Sequence, residues 1–445
     1  MSYSPRLRTA VLLSGTGTAG AYHAGVLRAL HEAGVKIDLC CGRGVGAVGA
    51  VFAAIDAAPK TWEDGGVWRS QAPVPLYRWR PVFLWSALLV AAAAVVLVVP
   101  LLVLATGLIA YPFSFLVQMI SVDSGHRIAS TYASWIASAF SPGALPTVVP
   151  RLITLLLIVA VVLAVGAGVR ARRRGQWWPE LAGSPWTAQP GLRHVQGLLW
   201  QLFRGPTTVR EPAPAEFSRR YAELLAENLG QPGFRELLIA TVDLETRSDL
   251  IFASLSGARR QPFFHRRGVS GELIDLAGAG RSHVLDALAG ALTPPALCEP
   301  HAIAFSPESY WKGETHRITD RPAAIGRLMI ELAAAGVEQV IVVSAVADRS
   351  APHRLGKLGV TLQARLAEHL AAHEASAIRD GIVAHSPRFS NVFLIQPAHN
   401  PVGPFDFAGT YDERSDRHQG VRELLDRGYQ DAYRQFIEPI VGGGE

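Results

Sequence analysis

Two glycine-rich stretches near the amino terminus carry the residues best suited to chemistry. Gly15, Gly17 and Gly20 stand in "SGTGTAG" after one apolar run, and Gly42, Gly44 and Gly46 stand in "CGRGVG" after another. A glycine turn at the end of a strand can aim backbone N–H groups at an oxyanion or a phosphate. In many hydrolases a second turn, Gly-x-Ser-x-Gly, lifts a serine nucleophile above the sheet. Here the middle position is Gly44, which has no side chain, and no serine lies between Ser14 and Ser70. The first stretch also matches Gly-x-Gly-x-x-Gly, but a dinucleotide site expects an acidic residue near the end of the second strand. Asp38 stands at that strand's beginning, which argues against a nucleotide. No cofactor is expected.

The elements that would position these glycines read as parallel α/β units. "TAVLLSG" is a strand and "GAYHAGVLRALHEAG" a helix ended by glycine; "IDLCCG" is a second strand and "AVGAVFAAIDAA" its helix. The pattern returns in the strands "ELLIATVDL", "LIFASL", "VEQVIVVSA" and "NVFLIQPA", with the helices "RPAAIGRLMIELAAAG" and "LGVTLQARLAEHLAAHEASAI" among them. "HVQGLLWQLF", His194 to Phe203, is amphipathic, and either lies in a membrane interface or packs on the α/β domain.

Between the two halves of this pattern lies an apolar block. The composition is 49% hydrophobic against 18% charged, and no Asp, Glu, Lys, Arg or His occurs from Pro81 to Val122 or from Leu152 to Val169. About 20 apolar residues suffice to cross a bilayer, so two membrane helices are expected. Arg78, Arg80, Arg170, Arg172, Arg173 and Arg174 flank the block outside, whereas the link Tyr111 to Arg151 holds only Arg127 and Arg151. The positive-inside rule then places both flanks in the cytoplasm. Nine of the ten tryptophans fall between Trp62 and Trp200, which suggests interfacial rings such as the pair Trp177-Trp178. The expected organisation is an α/β domain from residues 1–58 and 230–445, a linker at 59–80, a membrane hairpin at 81–174 and a juxtamembrane stretch at 175–229.

Cys40, Cys41 and Cys298 have no metal-ligand spacing and read as buried residues in a reducing compartment. No Cys/His/Asp/Glu cluster suggests a metal. His23, Asp243 and Asp249 read as packing or surface residues. The formal charge of +5 owes much to the membrane-flanking arginines, which suit anionic lipid better than nucleic acid.

Taken together, the two glycine turns, the helix "AYHAGVL", the elbow "GRGVGA", and the later stretches "LIATVDLETRSDLIF", "LAGALTPPALCEP", "PFDFAG" and "VRELLDRGYQDAYRQF" resemble the patatin-like phospholipases. The resemblance implies a three-layer α/β sandwich with a central, mostly parallel sheet, and lipid acyl hydrolysis by a Ser-Asp dyad. In the terms of that family, Gly15, Gly17 and Gly20 are oxyanion-loop equivalents, with Ala19 where the family has a basic residue, and Gly42 and Gly46 flank the elbow. The serine position is Gly44. Counting forward from Pro300, the aspartate position falls on Lys312, beside Gly313; counting back from Pro322, it falls on Glu314. The leading expectation is therefore an integral membrane protein, catalytically degenerate, that binds lipid or a protein partner through its former acyl pocket. The alternative is an active patatin-like acyl hydrolase with an atypical nucleophile, for which Cys41 is the nearest thiol.

Overall fold

The computed structural model describes residues 3–70, 75–173, 184–206, 208–266, 271–346, 362–397, 409–412 and 417–441. The chain divides into two compact units, Met1–Arg78 with Trp186–Glu445, and Trp79–Pro185. In chain order the first unit opens with β1 (Thr9–Gly15), α1 (Ala19–Glu32), β2 (Leu39–Gly44) and α2 (Gly46–Ala54). The inserted unit holds α3 (Pro81–Ala105), α4 (Gly107–Gln118), α5 (Val122–Ala139) and α6 (Leu145–Arg173). The first unit resumes with α7 (Gln189–Arg204), α8 (Pro214–Asn228), β3 (Glu236–Asp243), β4 (Ser248–Ser254), α9 (Gly257–Phe264), β5 (Leu273–Asp275) and α10 (Val284–Ala291). It continues with β6 (His301–Ala304), β7 (Thr315–Thr319), α11 (Ile325–Ala334), β8 (Gln339–Ser344), α12 (Leu362–His385), β9 (Asn391–Ile395) and α13 (Val421–Ala432).

The main sheet runs β9-β8-β1-β2-β3-β4-β5, with β7 joining the end of β3 and β6 pairing with β7. β9, β8, β1, β2 and β3 are mutually parallel, and β4 and β7 run antiparallel to β3. Every residue of β1 and β2 is buried, as the unbroken apolar runs of a parallel sheet covered on both faces require. The side chains alternate between two cores. Val11, Leu13 and Cys40 pack with α1, α2, α7, α8, α10 and α13, while Ala10, Leu12, Leu39 and Cys41 pack with α9, α11 and α12. This is an α/β sandwich of three layers. The carboxyl ends of β1, β2 and β8 lie side by side, the edge at which open α/β sheets place their ligands.

Two stretches read as linkers are core material. Trp62, Trp68 and Leu76, and Leu192, Val195, Leu199 and Trp200 of α7, are buried in the α/β unit. Burial of an aromatic ring removes a large apolar area from water, and this outweighs an interfacial position for these tryptophans. Trp177 and Trp178 lie outside the described residues.

In the inserted unit, Pro81–Gln118 and Leu145–Val169 are long and apolar enough to cross a membrane. α3 packs on α6, and α4 on α5. The segment read as a link between two helices is thus itself helical: α4 has the continuous apolar composition of α3, and α5 has the mixed periodicity of an amphipathic helix.

Candidate functional site

Gly15 and Gly44 end β1 and β2 and pair directly across the sheet. Gly44 has a φ of +56°, the left-handed conformation of an elbow, which glycine adopts without steric cost. The space above it is closed. A Cβ at Gly44 would lie 2.0 Å from the carbonyl oxygen of Gly15 and 3.4 Å from Oδ2 of Asp320. The N–H of Val45, the residue whose counterpart in an elbow hydrolase faces the oxyanion, donates to that same Gly15 oxygen at 2.8 Å. A Cβ at Gly46 would lie 2.1 Å from the Leu13 carbonyl oxygen, so this glycine lets α2 start hard against β1.

The loop from Gly15 to Gly20 is equally self-contained. The Gly17 N–H donates to the Tyr77 hydroxyl at 3.2 Å. The N–H groups of Ala19, Gly20 and Ala21 donate to the carbonyls of Thr16, Gly17 and Thr18 and wind the loop into the first turn of α1. The Trp68 ring covers Gly20 so closely that a Cβ there would stand 2.0 Å from it. Ala19 and Thr16 border a cavity with Ala345, Val346, Leu370, Ala371 and Glu374; at about 20 Å³ it has room for one water. This cavity, as the described residues form it, is too small for an acyl chain. Among the described residues, the amides of Gly17, Ala19, Gly20 and Ala21 already have partners in the protein.

Arg43 is the centre of the site. It stands between Gly42 and Gly44, wholly buried, and its guanidinium forks onto Asp320 through Nε to Oδ1 at 3.1 Å and Nη2 to Oδ2 at 2.8 Å. Nη2 also donates to Thr16 Oγ1 at 2.9 Å, and Nη1 donates to Ser14 Oγ and the Pro322 carbonyl, each at 3.3 Å. Glu374 of α12 approaches Nη1 at 3.2 Å and accepts the Ser14 hydroxyl at 2.7 Å. One cation thus balances two carboxylates that are almost fully buried. Burial pushes the Asp320 carboxyl up to about 6, against the pull of Arg43 and with a further push from Glu374. Every strong donor of the guanidinium is satisfied, which is what keeps a buried charge tolerable.

Lys312 is not at the elbow. It is exposed on the turn between β6 and β7, with φ +47°, and Glu314 is exposed beside it, bonded to Nε2 of the buried His316 at 3.2 Å. The carboxylate beside Gly44 is Asp320, which follows directly on β7. Counting from Pro300 misses it because the β6–β7 turn takes up the residues assumed to lead straight to the dyad. The signal that could have found it is physical: an arginine inside a buried strand demands a buried carboxylate, and Asp320 closes the strand "THRIT". Asp243 and Asp249 are buried partners of His316 and Arg321.

His23 of α1 lies under the same loop, and its Nε2 meets the Ser14 carbonyl at 2.9 Å. Burial lowers it to about 4, so it is neutral in the folded protein at neutral pH. A histidine depressed in the folded state adds stability above its unfolded value of about 6.5, and this is lost as pH falls through 4. The full difference is about 3 kcal/mol. The melting temperature of the detergent-solubilised protein should therefore fall less between pH 7 and about pH 4.5 for His23→Gln than for wild type. Equal falls would place the acid sensitivity elsewhere.

Burial also pushes the Cys41 thiol well up, and Cys41 packs on the sheet face opposite to α1 and α2. No metal-binding group of three His, Cys, Asp or Glu occurs among the described residues.

The family model described as patatin-like phospholipase matches residues 11–104. Among solved structures, VipD from Legionella pneumophila matches with 13% identity and a TM-score of 0.32, over 98% of this chain and 68% of that one. No curated protein matches the sequence. Residues 11–104, which contain both glycine turns, are therefore similar to the patatin-like phospholipases, within an α/β fold whose mostly parallel sheet is layered between helices.

Proposed function

We propose that this chain is a membrane-tethered protein of patatin-like fold whose hydrolytic centre has given way to a buried ion-pair network, and that it acts by binding membrane lipid or a protein partner. The observation that carries the reading is the closed elbow: the Gly15 carbonyl oxygen stands 2.0 Å from where a nucleophile's Cβ would be, and it accepts the Val45 N–H. Acyl transfer needs a nucleophile, a base and oxyanion donors together. At this site the first is missing, the carboxylate that could serve as the second is held by Arg43, and the Gly17 and Val45 amides are bonded to the Tyr77 hydroxyl and the Gly15 carbonyl.

Asp320 is assigned the place of the dyad aspartate, on its position beside Gly44 and its burial. Cys41 is a poor substitute nucleophile, since a buried, protonated thiol on the other sheet face has no thiolate character. Tethering rests on the two apolar spans, and the cytoplasmic placement of the α/β unit on the flanking arginines.

A fluorophosphonate probe reports an activated serine directly. The full-length protein in phospholipid vesicles should take up no more probe than a heat-denatured control. Stoichiometric labelling would overturn the silent-centre reading, and the modified residue would name the nucleophile.

A further inference from the structure

The inserted unit is longer than a bilayer requires. α3 alone, at 25 residues, reaches about 37 Å, more than the hydrocarbon core. α4 then continues for 12 residues with no charge, and most of its surface is bare: Leu108, Ile109, Phe113, Phe115 and Leu116 are exposed, and Ile120 just beyond it is 91% exposed. Its one covered side lies on α5, where Ser114 Oγ donates to the Gly125 carbonyl at 2.8 Å and Gly125 nests on Gln118.

α5 has a different character. Asp123, His126 and Arg127 are its only ionisable side chains apart from Tyr132. Tyr111 of α4, Tyr132 and Trp135 form a chain of rings at 5.2 and 6.3 Å, and the Tyr132 hydroxyl donates to the Leu104 carbonyl at the end of α3. Such rings collect at the headgroup level of a bilayer. Arg127, Thr131 and Trp135 follow at intervals of four along one side of the helix, and with Ile128 and Tyr132 they line an open groove of about 430 Å³. Arg151, near the start of α6, closes off the uncharged run Leu152 to Val169, which spans about 27 Å.

We propose that α4 and α5 form an interfacial cap on the hairpin: the bare side of α4 sinks into the acyl–headgroup boundary of the far leaflet, and the Arg127 groove of α5 holds a phospholipid phosphate. An upright α4 would hold its apolar side in water, and a deeper hairpin would drag Asp123, Arg127 and Arg151 into the hydrocarbon. A helix pair with an apolar side, ring anchors and one arginine beside them satisfies both constraints in the interface. The cap rests on the tethering proposed above.

The native cysteines are all buried, so an introduced cysteine is the one that takes a spin label. Full-length protein in vesicles of phosphatidylcholine and phosphatidylglycerol would be labelled at Val95→Cys, Leu116→Cys and Ser124→Cys, and label depth read from collision with oxygen against a water-soluble nickel complex. The cap predicts mid-core depth for 95, shallow acyl depth for 116 and headgroup depth for 124. An aqueous label at 95 would overturn the tethering itself. A deep label at 95 with an aqueous label at 116, or one at 116 shielded from both colliders as in a dimer contact, would overturn the cap alone. For the groove, Arg127→Gln should retain about fivefold less phosphatidylglycerol through detergent exchange, read by native mass spectrometry, the factor that one surface arginine contributes. Equal retention would remove the phosphate site.

Discussion

Arg43→Met should destabilise the protein by about 3–5 kcal/mol, because it leaves Asp320 and Glu374 facing each other in the core without their cation. The measurement is thermal unfolding of the full-length protein in detergent at about pH 7.5, followed by tryptophan fluorescence. The loss should shrink on lowering the pH to about 5.5. Burial pushes the Asp320 carboxyl up to about 6 even with Arg43 beside it, and removing that cation moves it further up, so acid neutralises the uncompensated charge and the raised carboxyl then favours folding. Adding Asp320→Asn to Arg43→Met should recover part of the stability, since one uncompensated charge is then gone. An Arg43→Met variant as stable as wild type would mean that the network carries no structural burden.

Gly44→Ser is the second large effect, and the more informative one. In an intact hydrolase this change would supply the nucleophile. Here the serine Cβ would stand 2.0 Å from the Gly15 carbonyl, and a backbone group cannot rotate away as a side chain does. The variant must separate the ends of β1 and β2 and break the bond from Val45 N–H to Gly15. A loss of about 3 kcal/mol is expected, the upper range of overpacking, with no gain of esterase activity. The φ of +56° adds backbone strain of the kind an elbow serine carries. The obstacle is the closure of the loop onto the elbow.

The α/β scaffold is legible in the sequence because its signals are local. Buried strands such as "TAVLLSG" and "VEQVIVVSA", ended by glycine or followed by a periodic helix, predict both the element and its neighbour in a parallel sheet. That glycine, not serine, stands at the middle of the second turn is legible for the same reason, since it depends on one position, Gly44. The carboxylate is not. Its distance from the elbow in sequence depends on the length of the β6–β7 turn, which no local pattern fixes, and so counting lands on Lys312 in place of Asp320. Glu374 lies still further along the chain, on a helix whose face toward the site emerges only from packing. The amphipathic α7 is ambiguous in sequence because an apolar stripe suits a membrane surface and a protein core equally; burial of Leu199 and Trp200 decides it. The boundary between α3 and α4 is hidden by composition, since the continuous apolar run from Pro81 to Val122 does not show where one helix ends and the next begins.

The central claim is that a patatin-like scaffold persists here without its chemistry, and fatty-acid release from phospholipid vesicles tests it most directly. Wild type, Gly44→Ser and Asp320→Asn, each reconstituted at full length, should all release fatty acid at the rate of protein-free vesicles. Turnover by the wild type that Asp320→Asn abolishes would contradict the account, since it would show the buried carboxylate still activating a nucleophile.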